Sequence, residues 1–320
     1  MKRVLQTALA MCMVLSSVLL ASGASAQDDQ LRFIVISHGQ AADPFWSVVQ
    51  NGANQAGEDM DVSVEYQAPT TYDMVAMSQL IDAAVASEPD GIIISIPDGP
   101  ALTPSIQKAI DAGIPVISIN SGYETSTELG LFTHVGQTEY DAGFGGGQRM
   151  SSEGTTHAIC LIHEAGNSGL EERCRGFEDG MAENGGTVEQ LVVDLNNPTD
   201  AQQRIDAALT ANPDINGIMA LGPVGSTSAI AAVTSAGKSE DVAIATFDLS
   251  PEVIQGIQDG NVTFAIDQQQ YLQGYLPVVF LTQFCRNGNT IAQDIVMTGP
   301  GYVDATNVDQ VKDLIDGGTR

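Results

Sequence analysis

From residue 31 onward, short apolar runs alternate with segments whose apolar positions repeat at helical spacing. Residues 32–37 (RFIVIS) read as a strand, and 45–60 as a helix with Phe45, Val48, Val49, Ala53 and Ala56 on one face. A second strand pattern covers 62–66, and 74–86 then sets Met74, Met77, Leu80, Ile81, Ala84 and Val85 at helical spacing. GIIISI at 91–96 and PVISI at 115–119 are nearly unbroken apolar runs, as expected of parallel strands covered on both faces, with a helix over 104–112 between them.

A second cycle follows. It opens on a Gly-rich helix start at 142–150 and predicts strands at 156–162, 188–193, 215–221, 242–247 and 262–266. Helices are predicted over 169–184, 201–211, 226–236 and 251–259, and a long one over 271–286. Strands alternating with helices imply parallel sheets with helices on both faces. About ten strands over roughly 294 residues suit two sheets better than one. The expected fold class is therefore α/β, with two similar doubly wound parallel-sheet lobes. Chain crossings are expected near 136–139 and 267–270, after which the 271–286 helix returns to the first lobe.

The first residues stand apart from this pattern. Met1-Lys2-Arg3 is a basic start, residues 4–20 are almost wholly apolar, and Ala24-Ser25-Ala26 fits a signal-peptidase site. Residues 1–26 read as a cleaved secretory signal rather than an anchor, because the apolar run is short for a membrane span. Export places the chain in the periplasm. Removing the signal takes away Lys2 and Arg3 and moves the formal charge from −28 to −30.

That charge comes from 40 acidic against 12 basic side chains and excludes some partners. Nucleic acid and anionic lipid would both be repelled. It names no ligand, and solvation in a saline or extracytoplasmic medium explains it equally well. Export also changes the reading of the cysteines. Cys160, Cys174 and Cys285 remain after cleavage, so one internal pair is the most that can form. Cys160 and Cys174 bracket one strand-to-helix connection and are the expected bridge, with three buried thiols as the alternative. No histidine stands at finger or zincin spacing from these cysteines, so neither metal nor cofactor is expected.

Enzymatic constellations are missing from the sequence. There is no GxxxxGK[ST] loop, and Gly143-Phe144-Gly145-Gly146-Gly147-Gln148 lacks the last glycine of a dinucleotide fingerprint. His163-Glu164 begins like a zincin motif without its second histidine, and Gly166-Asn167-Ser168-Gly169 lacks the spacing of a nucleophile elbow. A binding protein fits better. In open α/β sheets, ligands sit beyond the carboxyl ends of the strands. Those ends carry Ser37-His38, Pro97-Asp98, Asn120-Ser121, His163-Glu164, Asp194, Gly222-Pro223, Asp248 and Asp267-Gln268. Polar groups converging from two lobes suit a small, hydroxyl-rich ligand.

Asp43-Pro44-Phe45-Trp46 ends the first strand-to-helix loop and holds the only tryptophan. Asp43 suits a helix N-cap and Pro44 a first helical turn, so the segment reads as a capped helix with an aromatic staple. It also supplies what a sugar needs: aromatic planes for the C–H faces and a carboxylate for the hydroxyls. This loop resembles the matching loop of periplasmic sugar-binding proteins of the ribose/galactose type. Supporting segments are 91–117, HEAGNSGLEERCRGF at 163–177, TSAGKSEDVAIATFD at 234–248 and IDQQQYLQGY at 266–275. The 163–177 and 266–275 segments are most similar to a fructose-type subgroup.

The resemblance implies a type I periplasmic binding protein whose lobes are joined by a three-crossing hinge. The first lobe would comprise 27–136 plus 269–298, and the second 137–268 plus 299–320. It implies capture of a neutral monosaccharide or polyol and delivery to an ABC permease, or presentation to a chemoreceptor or sensor kinase. By position, Asp43 and Asp248 would accept hydroxyl hydrogens, Phe45 and Trp46 would pack on the ring, and Arg173 would donate. Asn120 and Gln268 would add polar contacts. Ser95 and Gly222 stand where ribose-type members have asparagine, which points away from ribose. Asp98, Glu164 and Asn167 are further candidates. Arg173 could instead pair with Glu172 or Asp179, and Asp248 could instead cap the helix that starts at Pro251.

Overall fold

The computed structural model describes residues 30–39, 43–194 and 197–320; the signal segment read at 1–26 lies outside these. Twelve strands and eleven helices among the described residues form two six-stranded sheets. The first sheet contains β1 (Arg32–Ile36), β2 (Ser63–Gln67), β3 (Gly91–Ser95), β4 (Val116–Asn120), β5 (His134–Gly136) and β11 (Ile295–Met297) in the order β11-β5-β4-β3-β1-β2. The second contains β6 (His157–Ile162), β7 (Thr187–Val192), β8 (Gly217–Ala220), β9 (Ala243–Phe247), β10 (Phe264–Asp267) and β12 (Gly301–Asp304) in the order β12-β10-β9-β8-β6-β7. The two orders match position by position. Every pair is parallel except β10 with β12.

Burial follows the sequence pattern. Central β3 (GIIIS) and β4 (VISIN) are buried at every position, whereas edge strand β2 alternates between exposed and half-buried. Phe33 and Val35 of β1 face Trp46, Val49 and Ala53 of α1 (Pro44–Met60) and Val278 and Leu281 of α10 (Gln270–Asn287). Ile34 and Ile36 point the other way, onto Met77 and Ile81 of α2 (Met74–Ala86) and Leu102 and Ile106 of α3 (Gly99–Asp111). Each of the Val, Leu, Ile, Phe and Met side chains among these contributes about 1.5–3 kcal/mol by leaving water. The two-residue alternation along β1 thus sends its side chains into two separate apolar layers.

The chain passes between the sheets three times: from β5 into α5 (Glu139–Ser152), from β10 into α10, and from β11 to β12. The expected helix at 142–150 is the middle of α5. Its glycines serve close packing on α6 (Ser168–Ala182): a Cβ on Gly143 would lie 2.1 Å from the Arg173 carbonyl oxygen, and one on Gly176 would lie 2.0 Å from that of Tyr140. Only glycine permits this approach. A disulfide joins Cys160 on β6 to Cys174 on α6, and Cys285 is an exposed thiol.

Several elements differ from expectation. The helix expected over 104–112 begins at Gly99, with Asp98 accepting the Ala101 N–H at 2.9 Å and Pro104 lying inside it. Strands β5, β11 and β12 and the helices α4 (Tyr123–Leu129) and α11 (Val308–Asp316) had no counterpart in the expected pattern. Three or four residues are too few to show a period, and β12 exists only through its antiparallel pairing with β10. The remaining helices are α7 (Pro198–Ala211), α8 (Pro223–Ser235) and α9 (Pro251–Gln258).

Candidate functional site

The carboxyl ends of strands from both sheets meet around a cavity of about 490 Å³, its mouth included. From the first sheet come His38 beyond β1, Asp43, Phe45 and Trp46 at the start of α1, and Asn120 and Ser121 at the end of β4. The second contributes His163 and Glu164 beyond β6, Asn167, Leu170 and Arg173 of the loop and helix α6, Leu221 to Val224 beyond β8, and Asp248 beyond β9. Ser168 N–H donates to the Pro97 carbonyl across the cleft at 2.8 Å, so the two sides are drawn together.

Asp43 has two roles. One oxygen caps α1 by accepting the Phe45 N–H at 2.9 Å, and burial pushes its carboxyl above the usual range, with that N–H opposing. Phe45 and Trp46 meet edge to face with ring centroids 4.9 Å apart, and Trp46 meets His38 the same way at 4.8 Å. Burial holds the His38 ring neutral, its pKa lowered to about 3, with His163 and Arg173 adding to the effect. Across the cleft, His38 Nε2 lies 3.6 Å from Glu164 Oε2.

Glu164 accepts from Asn167 Nδ2 at 2.7 Å, while Asn167 Oδ1 caps α6 through the Gly169 N–H at 3.0 Å. Burial raises the Glu164 carboxyl to about 7; the Asn167 contact and Arg173 oppose this and Asp43 adds to it. Burial also keeps His163 neutral, lowering it to about 4. Its Nδ1 has no hydrogen-bond partner among the described residues.

Arg173 and Asp248 form the deepest part. Arg173 Nε and Nη2 donate to the two oxygens of Glu139 at 2.6 and 2.9 Å, and Nη1 donates to the Leu221 carbonyl at 3.1 Å. The guanidinium lies over the Phe247 ring, 4.4 Å from its centroid. Asp248 Oδ2 is 4.0 Å from Nη1, and Asp248 Oδ1 accepts from Gln268 Nε2 at 2.8 Å. Burial pushes Asp248 up to about 7 despite Arg173 and Gln268, which both favour the charged form. Asn120 at φ 60° and Asp248 at φ 65° adopt the left-handed conformation at corresponding strand ends of the two sheets. Gln268 bridges them, accepting from Asn120 Nδ2 at 3.3 Å.

Nine of the twelve ligand-site residues expected from sequence line this cavity: Asp43, Phe45, Trp46, Asn120, Glu164, Asn167, Arg173, Gly222 and Asp248. Ser95, Asp98 and Gln268 do not. Ser95 Oγ sits behind His38, accepting its backbone N–H at 3.0 Å and lying 2.8 Å from Nδ1. Asp98 is turned to its capping bond on α3, and Gln268 is buried behind Asp248 and Asn120. The alternative partners for Arg173 are engaged elsewhere: Glu172 with Arg175, and Asp179 with Tyr140. Nor does Asp248 cap the helix at Pro251, which is capped by Ser250.

His38, Ser121 and His163 stood among the polar strand ends but were not assigned to the site. Pro223 also stood at one of those strand ends, whereas Leu170, Leu221 and Val224 carried no polar signal that could have singled them out.

The sequence profile of a periplasmic binding protein domain matches residues 33–289. The chain belongs to the periplasmic binding protein family. It is a sugar-binding protein of the ribose/galactose type, and members of this family bind substrates without transforming them. A carbohydrate transporter from Acidothermus cellulolyticus 11B, solved in complex with myo-inositol, is 36% identical, with a TM-score of 0.86 over 91% of this chain and all of that one. The xylose/arabinose-binding protein of Sulfolobus acidocaldarius is 26% identical over 87% of this chain and 72% of its own length. The fructose import binding protein of Bifidobacterium longum is 24% identical over 86% of this chain and 84% of its own. Among the described residues of this family member, no helix is long and apolar enough to cross a membrane.

Proposed function

We propose that this protein is the exported substrate-binding component of an ABC importer. It would capture a neutral cyclic polyol or monosaccharide between its lobes and deliver it to a membrane permease. The observation that carries the reading is the polarity of the cavity. Three carboxylates, Asp43, Glu164 and Asp248, face it, while Arg173 is already compensated by Glu139. An anionic sugar would meet repulsion there, whereas hydroxyl hydrogens would find acceptors on both sides. Phe45 and Trp46 offer apolar surface to a ring.

The related protein solved with myo-inositol supports a cyclitol as the first ligand to test. The site residues, the secretory signal at 1–26 and the lobe boundaries 27–136 plus 269–298 and 137–268 plus 299–320 form part of the same reading. Closure matters because a permease distinguishes closed from open protein only if ligand stabilises one form differentially. Calorimetric titration with myo-inositol, ribose, xylose, fructose and glucuronate tests this. One neutral compound should bind with a 1:1 heat and raise the melting temperature, and glucuronate should do neither. Tight binding of glucuronate alone would overturn the reading.

A further inference from the structure

Arg173 and Asp248 lie side by side at the cavity, yet they do not close on each other. Nη1 stands 4.0 Å from Asp248 Oδ2, beyond hydrogen-bond distance. On its other side the guanidinium is held by Glu139, the first residue of α5, immediately after the first chain crossing. Its carboxylate takes both Nε and Nη2 in a paired, fork-like arrangement and is itself held by Gln137 Nε2 at 3.0 Å. Glu139 is buried yet absent from the cavity wall. It approaches the guanidinium from behind, an approach permitted by the glycine contacts between α5 and α6.

We propose that Glu139 is the positioning residue of the binding site: it holds Arg173 away from Asp248, so that the donor and the acceptor face the ligand separately. Without this carboxylate the guanidinium keeps its charge in a buried setting, where a buried charge needs a partner. The nearest acid is Asp248. An Arg173–Asp248 ion pair would use the remaining Nη1 hydrogen and one carboxylate oxygen, removing both from the cavity. The charged groups acting on Asp248 are Arg173, which lowers its carboxyl, and Glu139 and Asp267, which raise it, so the loss of Glu139 removes one of the two raising charges.

The proposal rests on the cavity being the sugar site, and its test separates the two. Glu139→Gln and Glu139→Asp are compared with wild type in two measurements. The first follows the Asp248 carboxyl by NMR with carbon-labelled aspartate and no ligand, assigned with Asp248→Asn. The second is calorimetric affinity for myo-inositol or the neutral sugar that stabilises the wild type. In Glu139→Gln the Asp248 titration should fall from its wild-type position, and affinity should drop at least tenfold. Glu139→Asp, which keeps the charge, should restore part of both and guards against a Gln variant that does not fold. An unmoved Asp248 titration in folded Glu139→Gln overturns the proposal, whatever the affinity does. A shifted titration with no neutral sugar bound by wild type sustains the positioning role and rejects the sugar site instead.

Discussion

Replacing Asp248 with Asn should strengthen the empty protein near neutral pH while weakening its ligand binding. The carboxyl is raised from an ordinary 3.8 to about 7, chiefly by burial. Between those values the folded protein holds a proton that the unfolded chain releases. This group's contribution to stability is therefore complete below pH 3.8 and is lost as pH climbs through about 7. At about 1.4 kcal/mol per tenfold change in proton affinity, the loss is on the order of 4 kcal/mol. Asn carries no such charge. It can still accept from Gln268, and it tolerates the left-handed backbone at φ 65°.

The buried histidines pull the other way. His38 and His134 are lowered to about 3 and His163 to about 4, so the stability they contribute is present above pH 6.5 and fades below it. They are common to both proteins and cancel in the difference. The measurement is therefore the Asn-minus-wild-type melting temperature at steps from pH 4.5 to 8 without ligand. It should rise with pH by on the order of 8 °C across that window, from about 2 °C per kcal/mol for a chain of this size. Parallel melting curves, with a constant difference at every pH, would refute the burial argument. With a saturating sugar present the difference should narrow by about 3 °C, because the variant loses an acceptor and with it roughly tenfold in affinity, about 1.4 kcal/mol.

Three further outcomes follow from the same geometry. Trp46 is the only tryptophan and lines the cavity, so ligand should alter the intrinsic emission, and Trp46→Ala should weaken binding about tenfold in calorimetry. Removing the Cys160–Cys174 bridge, whose cysteines lie 14 residues apart, should cost about 3 kcal/mol of stability in denaturant titration. Gly143→Ala would drive a methyl to 2.1 Å from the Arg173 carbonyl oxygen, and should both lower the melting temperature and weaken binding. A surface control such as Lys108→Ala should leave binding unchanged.

Which features could be read from sequence follows from how local their causes are. β3 and β4 were legible because each is a continuous apolar run, and α1 because its cap, its proline and the start of its apolar stripe lie within one turn of each other. Asp43 illustrates the limit of such reading: the helix cap and the cavity wall are both true of it, since one oxygen serves the backbone. β5 and β11, three residues each, are strands because neighbours pair with them. Glu139 was invisible for the same reason. It lies 34 residues from Arg173, and only the packing of α5 on α6 brings them together, while the nearer acids Glu172 and Asp179 have other partners. The resemblance placed Ser95 and Gln268 at the ligand, but the fold puts them one layer behind, where they orient His38, Asp248 and Asn120.

The acidity of the chain takes two physically different forms. Most of the 40 acids lie on the surface, where water carries their charge. Asp43, Glu164 and Asp248 instead share a cavity with one arginine that another acid already neutralises, and burial raises all three. Excluding water from these carboxyls makes their ionised forms costly. Opening relieves this by letting water in, and a ligand rich in hydroxyls relieves it by supplying donors without opening. If these three side chains bind a sugar as proposed, they would also discourage closure in its absence. That asymmetry is what a binding protein needs if closure is to report that the site is filled.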